Sequence, residues 1–209
     1  MHSWLDLSRT NIKFLFKPNW INTLPLNFNL NREILQFSGT KSEIINVHNY
    51  TGYNITYCFT NLNKETEFDI VNFFCSRKGK LERFWIPLWK NIFTLYSDIL
   101  INSNSINVYG SNFYLVDKGF ERIFIHLKNG DYITRKIIAS ISHGIYETLF
   151  LASGIDRIIT NDDINCFGRF LLVRFDQDDL NIEFVNNTCS TCELKFIELP
   201  FEYEVSSLS

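Results

Sequence analysis

The stretch from Lys64 to Gly79 constrains this chain most, because it is the one clear helix signal among segments that alternate as strands do. Asn63 can cap the helix, and Glu65 and Glu67 in the first turn favour the positive end of its dipole. Phe68, Val71, Phe74 and Cys75 recur at i, i+3, i+6 and i+7, which predicts one apolar stripe. Arg77 and Lys78 suit the last turn, and Gly79 suits the left-handed position that ends it. A helix of about four turns over residues 64–77 is expected. It runs into Phe84-Trp85-Ile86-Pro87-Leu88-Trp89, an aromatic strand with a proline between two tryptophans.

Around that helix the pattern is β. Residues 43–48 read as a strand. In 53–62, Ile55, Tyr57 and Phe59 alternate with Thr56, Cys58 and Thr60, the period of a half-buried strand. Further strands are expected at 92–96, 105–109, 121–128, 132–141, 146–151, 171–175, 182–185 and 194–199. In 121–128, Ile123, Ile125 and Leu127 share one face, and Arg122, Phe124, His126 and Lys128 the other, where His126 reads as a solvated surface residue. Asn129-Gly130 signals a hairpin with positive φ at both central residues, and His143-Gly144 a second turn. Short strands separated by turn residues predict a mainly β fold, an antiparallel β-sandwich or barrel with one principal α-helix at about 64–77. Residues 1–30 are irregular, punctuated by Pro18 and Pro25. They carry Trp4, Phe14, Phe16, Trp20 and Phe28, which need a surface to bury against. The expected organisation is an N-terminal arm, 1–30, and a single β-rich domain, 31–209.

Composition narrows the function. The chain has 209 residues, 45% hydrophobic and 21% charged, enough for a real core and too apolar for disorder. A net charge of −3 with no block of like charge supplies no general basic field for nucleic acid. Arg77, Lys78, Lys80 and Arg83 form only a local basic stretch at a helix end. No run reaches the roughly 18–20 apolar residues of a membrane helix. The first residues lack the basic start and apolar core of an export signal, so the five cysteines are expected to be reduced thiols.

Sites for chemistry are weakly signalled. Cys189-Ser-Thr-Cys192 has C-x-x-C spacing, but its flanks read as turn then strand, and no second pair completes a zinc set. Two unreactive turn thiols are expected. His2, His48, His126 and His143 make no metal or nucleophile pattern. Ser153 lacks a nucleophile elbow. Asp162-Asp163 and Asp176 to Asp179 read as polar turns, since the glycine and distal glutamate of a calcium loop are missing. No catalytic residue, cofactor or metal is therefore expected. Trp85, Pro87 and Trp89 stand apart. Period 2 would place all three on one side of a strand, and each buried indole could supply ~4–6 kcal/mol before entropy is subtracted. They read either as core or as a subunit contact. Pro87, which has no N–H, favours an edge.

The segment Phe73-Phe74-Cys75-Ser76-Arg77-Lys78-Gly79, followed by Arg83-Phe84-Trp85-Ile86-Pro87-Leu88-Trp89, resembles a pattern in tail proteins of tailed bacteriophages. There a helix ends in two large apolar residues and leads through a basic, glycine-containing stretch to Phe-Trp-x-Pro-x-Trp. Ile159 to Asp163, leading to Val173-Arg174-Phe175 and on through Asp176 and Asp178 to Phe184, is similar to a second such motif. Lys17-Pro18-Asn19-Trp20 is similar to an early Pro-x-Trp. The likeness is to the distal-tail and tail-tip (baseplate) group, gene-transfer-agent proteins included. It implies a β-rich structural subunit in a homo-oligomeric ring (a hexamer being one arrangement) that joins the tail tube to hub or fibre proteins. It also implies a virion tail location, with synthesis in the bacterial host cytoplasm, and no catalytic residues. The contact candidates are then Trp20, Trp85, Pro87 and Trp89. An alternative expectation is a surface- or carbohydrate-binding β-sandwich module with exposed aromatics as platforms. A third is a cell-wall hydrolase.

Overall fold

The computed structural model describes residues 12–19, 26–29, 32–36, 42–46, 52–110 and 122–199, and between 26 and 52 it describes backbone only. Its strands are β1 (Leu26–Asn29), β2 (Arg32–Gln36), β3 (Ser42–Asn46), β4 (Gly52–Leu62), β5 (Phe84–Pro87), β6 (Ser103–Tyr109), β7 (Arg122–Leu127), β8 (Tyr132–Ser142), β9 (Tyr146–Ile155), β10 (Ile164–Phe175), β11 (Ile182–Phe184) and β12 (Ser190–Glu198). The helix α1 spans Lys64–Arg77. The protein is mainly β and antiparallel, with this single α-helix among the described residues, as the alternating segments predicted. It divides into two compact units. The first takes in residues 12–15 and 85–171, and the second 16–84 and 172–199.

In the first unit the antiparallel order is β10–β7–β8–β9–β6. Ile123, Ile125 and Leu127 face the core as their spacing predicted, but Phe124, on the other face of β7, is just as buried. The β7–β8 hairpin forms where Asn129-Gly130 predicted it, with different turn chemistry. Only Gly130 has positive φ (93°). The Asn129 side chain instead accepts from the Asp131 amide at 2.9 Å, and the Leu127 amide donates to the Asp131 carbonyl at 2.8 Å. An asparagine that makes its own side-chain turn does not need the left-handed backbone.

The strand expected at 92–96 is reduced to one bridge, Leu95 to Val108. The backbone just before it is engaged elsewhere. Ile92 and Phe93 both donate to the Phe167 carbonyl, at 2.9 and 3.1 Å, and the Asn91 side chain accepts from the Phe167 amide at 2.9 Å. Gly168 makes this approach possible, because a Cβ there would collide with the Lys90 carbonyl oxygen.

In the second unit the order is β1–β4–β12–β10, with β11 beside β12, while β2 and β3 pair separately. Thus β10 serves both: residues 164–170 pair with β7 and 173–175 with β12. The helix starts as predicted, with the Asn63 side chain accepting from the Thr66 amide at 2.8 Å. It ends at Arg77, as predicted; Lys78 takes the first left-handed position (φ 55°, ψ 46°), and Gly79, expected to be left-handed, follows at φ 59°.

The helix's buried stripe also differs from the predicted one. Ile70, Phe73, Phe74 and Arg77 face inward, while Phe68 is 65% exposed and Cys75 is exposed. This stripe follows i, i+3, i+4, i+7 and contains an arginine, which disguises it in sequence. Arg77 can lie there because its guanidinium pairs with Glu82 at 2.9 Å and its carbon sits 5.9 Å from the centre of the Phe73 ring.

Candidate functional site

The Trp85 strand is interior. Trp85 is 2% exposed and Trp89 7%, and all four residues of β5 are buried. The three residues do not share one strand face as period 2 predicted. β5 stops at Pro87, and Trp89 follows with φ at +31°. Both indoles nonetheless reach one aromatic layer of the first unit. Trp85 stacks on Phe170 at 5.4 Å, Phe170 on Phe124 at 5.7 Å, and Trp89 meets Phe124 edge-on at 5.3 Å. His126 borders this layer, 5.4 Å from Trp89 and with Nδ1 3.0 Å from the Asn165 amide nitrogen, so it is half-buried rather than fully solvated. The Arg122 guanidinium lies 4.9 Å from the Trp85 ring. Trp20 lies outside the described residues.

The edge that Pro87 signalled is covered by the N-terminal stretch. The Trp85 amide donates to the Ile12 carbonyl and the Phe14 amide to the Trp85 carbonyl, each at 2.8 Å, giving a parallel bridge at Lys13. Ile12, Phe14 and Leu15 are thereby buried, Phe14 completely. Phe14, one of the aromatics that lacked a periodic pattern in sequence, thus finds its surface through strand addition.

The C-x-x-C is split. Cys189 precedes β12, whereas Cys192 lies within it and is buried, which corrects the expectation of two turn thiols. Burial, with Glu67 and Cys58 nearby, pushes the Cys192 thiol up to about 12. Burial and Glu193 also raise that of Cys58, whose Sγ is 3.9 Å from the Glu193 carboxylate. Both thiols border a cleft of about 260 Å³ that Thr60, Asn181, Glu183 and Glu193 also line. Its carboxylates favour the protonated thiol, the opposite of what a nucleophilic cysteine needs.

The acidic turns serve the backbone. Asp163 accepts from the Thr160 amide and hydroxyl at 2.8 Å each, which holds its carboxyl below the ordinary range. Asp178 accepts from the Lys80 amide at 3.0 Å. Among the described residues no group of three His, Cys, Asp or Glu side chains is placed to hold a metal ion.

A different surface draws notice. The inner face of β6 and β9 is sealed, with Ile106, Val108 and Leu149 at 0–1% exposure and Glu147 buried beside them. The outer face is aromatic and polar. Tyr96 stacks on Tyr146 at 4.5 Å with 12° between planes, and Tyr109 meets Tyr96 edge-on at 5.3 Å. His143, in the β8–β9 turn, stacks on Tyr146 at 4.6 Å. Between the strands, the Thr148 hydroxyl donates to the Asn107 side-chain oxygen at 2.8 Å, and the Asn107 amide donates to the Ser97 hydroxyl at 3.3 Å. Sequence reading missed this face because its members come from separate segments. Only the alternation Ser105-Asn107-Tyr109 and Tyr146-Thr148-Phe150 hinted at two polar-aromatic strand faces.

No protein-family model matches the chain, and a comparison with curated proteins finds no match.

Proposed function

We propose that this chain is a structural protein of the distal tail or tail tip of a tailed bacteriophage. In this reading it works without a catalytic step, by forming a homo-oligomeric ring and binding other tail proteins (tube, hub or fibres) in the virion. The observation that carries the reading is strand addition at β5. Residues 12–14 pair through backbone with Trp85 and bury Ile12 and Phe14 against the strand whose sequence resembles the tail-protein motif. Strand addition joins segments through main-chain hydrogen bonds and lets alternate side chains set specificity. A neighbouring copy offers the same β5. An arm exchanged onto it would make a heterologous contact, which closes a ring when the rotation permits.

Light scattering on the purified full chain tests this. A stable oligomer is expected, and removal of residues 1–15 should lower the oligomer order. A chain that stays monomeric at every concentration, and that no tail protein recruits into a ring, would overturn the proposal.

A further inference from the structure

We infer that the outer face of β6 and β9 is a binding site for a neutral glycan. Three features of the face point to that ligand class. The first is exposed aromatic surface: Tyr109 is 51% and Tyr96 43% exposed, on a sheet whose opposite face is sealed. A tyrosine offers an apolar ring and a polar tip together, which suits a sugar whose ring faces are apolar and whose rim carries hydroxyls. Stacking of Tyr96 on Tyr146, and of His143 on Tyr146, braces the rings before any ligand arrives, so little side-chain entropy remains to be lost.

The second feature is unspent hydrogen bonding. Among the described residues the hydroxyls of Tyr96, Tyr109 and Tyr146 have no hydrogen-bond partner, and Ser97 and Thr148 can each still accept. The Asn107 amide keeps a second N–H beyond the one given to Ser97. Sugar hydroxyls, each both donor and acceptor, match this mixed set.

The third feature is charge. The outward positions of β6 and β9, Ser105, Asn107, Tyr109, Tyr146, Thr148 and Phe150, carry none. Single-stranded nucleic acid also stacks on aromatic rings, but it requires a cationic track for its phosphates. An anionic membrane surface requires the same. A neutral ligand fits the face as it stands. From the segment holding Tyr96, across β6 to β9, is about two strand spacings, on the order of 10 Å, enough for a few sugar rings. The inference stands on this face alone and holds whether or not the chain assembles into a ring.

The test is ligand-detected nuclear magnetic resonance on the full chain, with a panel of neutral gluco-, galacto-, manno- and N-acetylglucosamine oligosaccharides. At least one should bind. Tyr96→Ala and Tyr109→Ala should each weaken that binding tenfold or more, with the circular dichroism spectrum unchanged. Tyr109→Phe should keep part of the affinity, since the ring stays and only the hydroxyl leaves. Phe184→Ala, at a 74% exposed aromatic of the second unit, should change nothing. Failure of every sugar to bind, or binding indifferent to both tyrosines, would overturn the inference. So would preference for an anionic oligosaccharide or for single-stranded DNA. If Tyr109→Ala instead alters the oligomeric state in sugar-free buffer, the face is a protein contact and the inference fails, while the ring proposal gains.

Discussion

Two buried clusters, one in each unit, are built from different side chains. Beside its aromatic layer, the first unit holds an aliphatic cluster. Fifteen buried residues, among them Ile106, Val108, Ile125, Leu149 and Ile155, include only Phe93 and Phe167 as aromatics. The second unit packs α1 with rings. Phe175 lies 4.8 Å from Phe74, 4.7 Å from Phe84, 5.4 Å from Phe196 and 6.3 Å from Phe73. Branched aliphatic side chains on strands interdigitate at short range, so the load spreads over many similar contacts. A helix crossing a sheet leaves a thicker and less regular gap, which large rings fill in tilted and edge-to-face pairs. Each such pair is worth about 0.5–1.5 kcal/mol beyond its buried area. One cluster is distributed and the other has a hub.

The largest expected effect tests that hub. Phe175→Ala should destabilise by about 3–5 kcal/mol in urea unfolding. Ile125→Val, removing one methyl group from the aliphatic cluster, should cost about 0.5–1.5 kcal/mol. Phe175→Leu sharpens the contrast, because it keeps an apolar group but abolishes the ring pairs. If it costs no more than Ile125→Val, the hub description is wrong.

A smaller effect probes close approach rather than volume. Gly168→Ala places a methyl group against the Lys90 carbonyl and should lower stability by about 1–3 kcal/mol, read as a fall in melting temperature. Gly110, where a Cβ would meet nothing nearer than 3.6 Å, is the comparison site, and Gly110→Ala should fall well below that range.

The smallest effect leaves stability alone. A thiol whose folded value is pushed up to about 12 stays protonated at neutral pH, so Cys192 should resist alkylation in the native state, while the exposed Cys75 reacts first. Mass spectrometry after brief labelling at pH 8 would show the order. Rapid native labelling of Cys192 would mean that the second core opens more readily than its packing implies.

The aromatic strand shows how far sequence reading reached toward the candidate site. Trp85 and Trp89 were legible as groups too apolar to leave in water, and Pro87 as a sign of an irregular edge. Their partners were not legible, since Phe124 and Phe170 are 39 and 85 residues from Trp85 in the chain. The tyrosine face was less visible still. Tyr96 sits in a segment expected to be a strand, and what matters is that its amide donates to the Asn107 carbonyl at 2.9 Å, which sets its ring over β9.

Local elements were legible in the chain alone: the helix over Lys64–Arg77 with its Asn63 cap, the alternating strand β4, and the β7–β8 hairpin. Capping, hydrophobic period and turn chemistry act between residues a few positions apart, so they can be read from the chain directly. Long-range packing sets which helix stripe is buried, where the segment after Pro87 makes its hydrogen bonds, and that an N-terminal stretch closes on the Trp85 strand. Those outcomes depend on which surfaces meet. The stripe with Arg77 prevails over the stripe with Phe68 because Phe73 and Phe74 reach Phe84 and Phe175, and a buried arginine is tolerated once Glu82 is beside it.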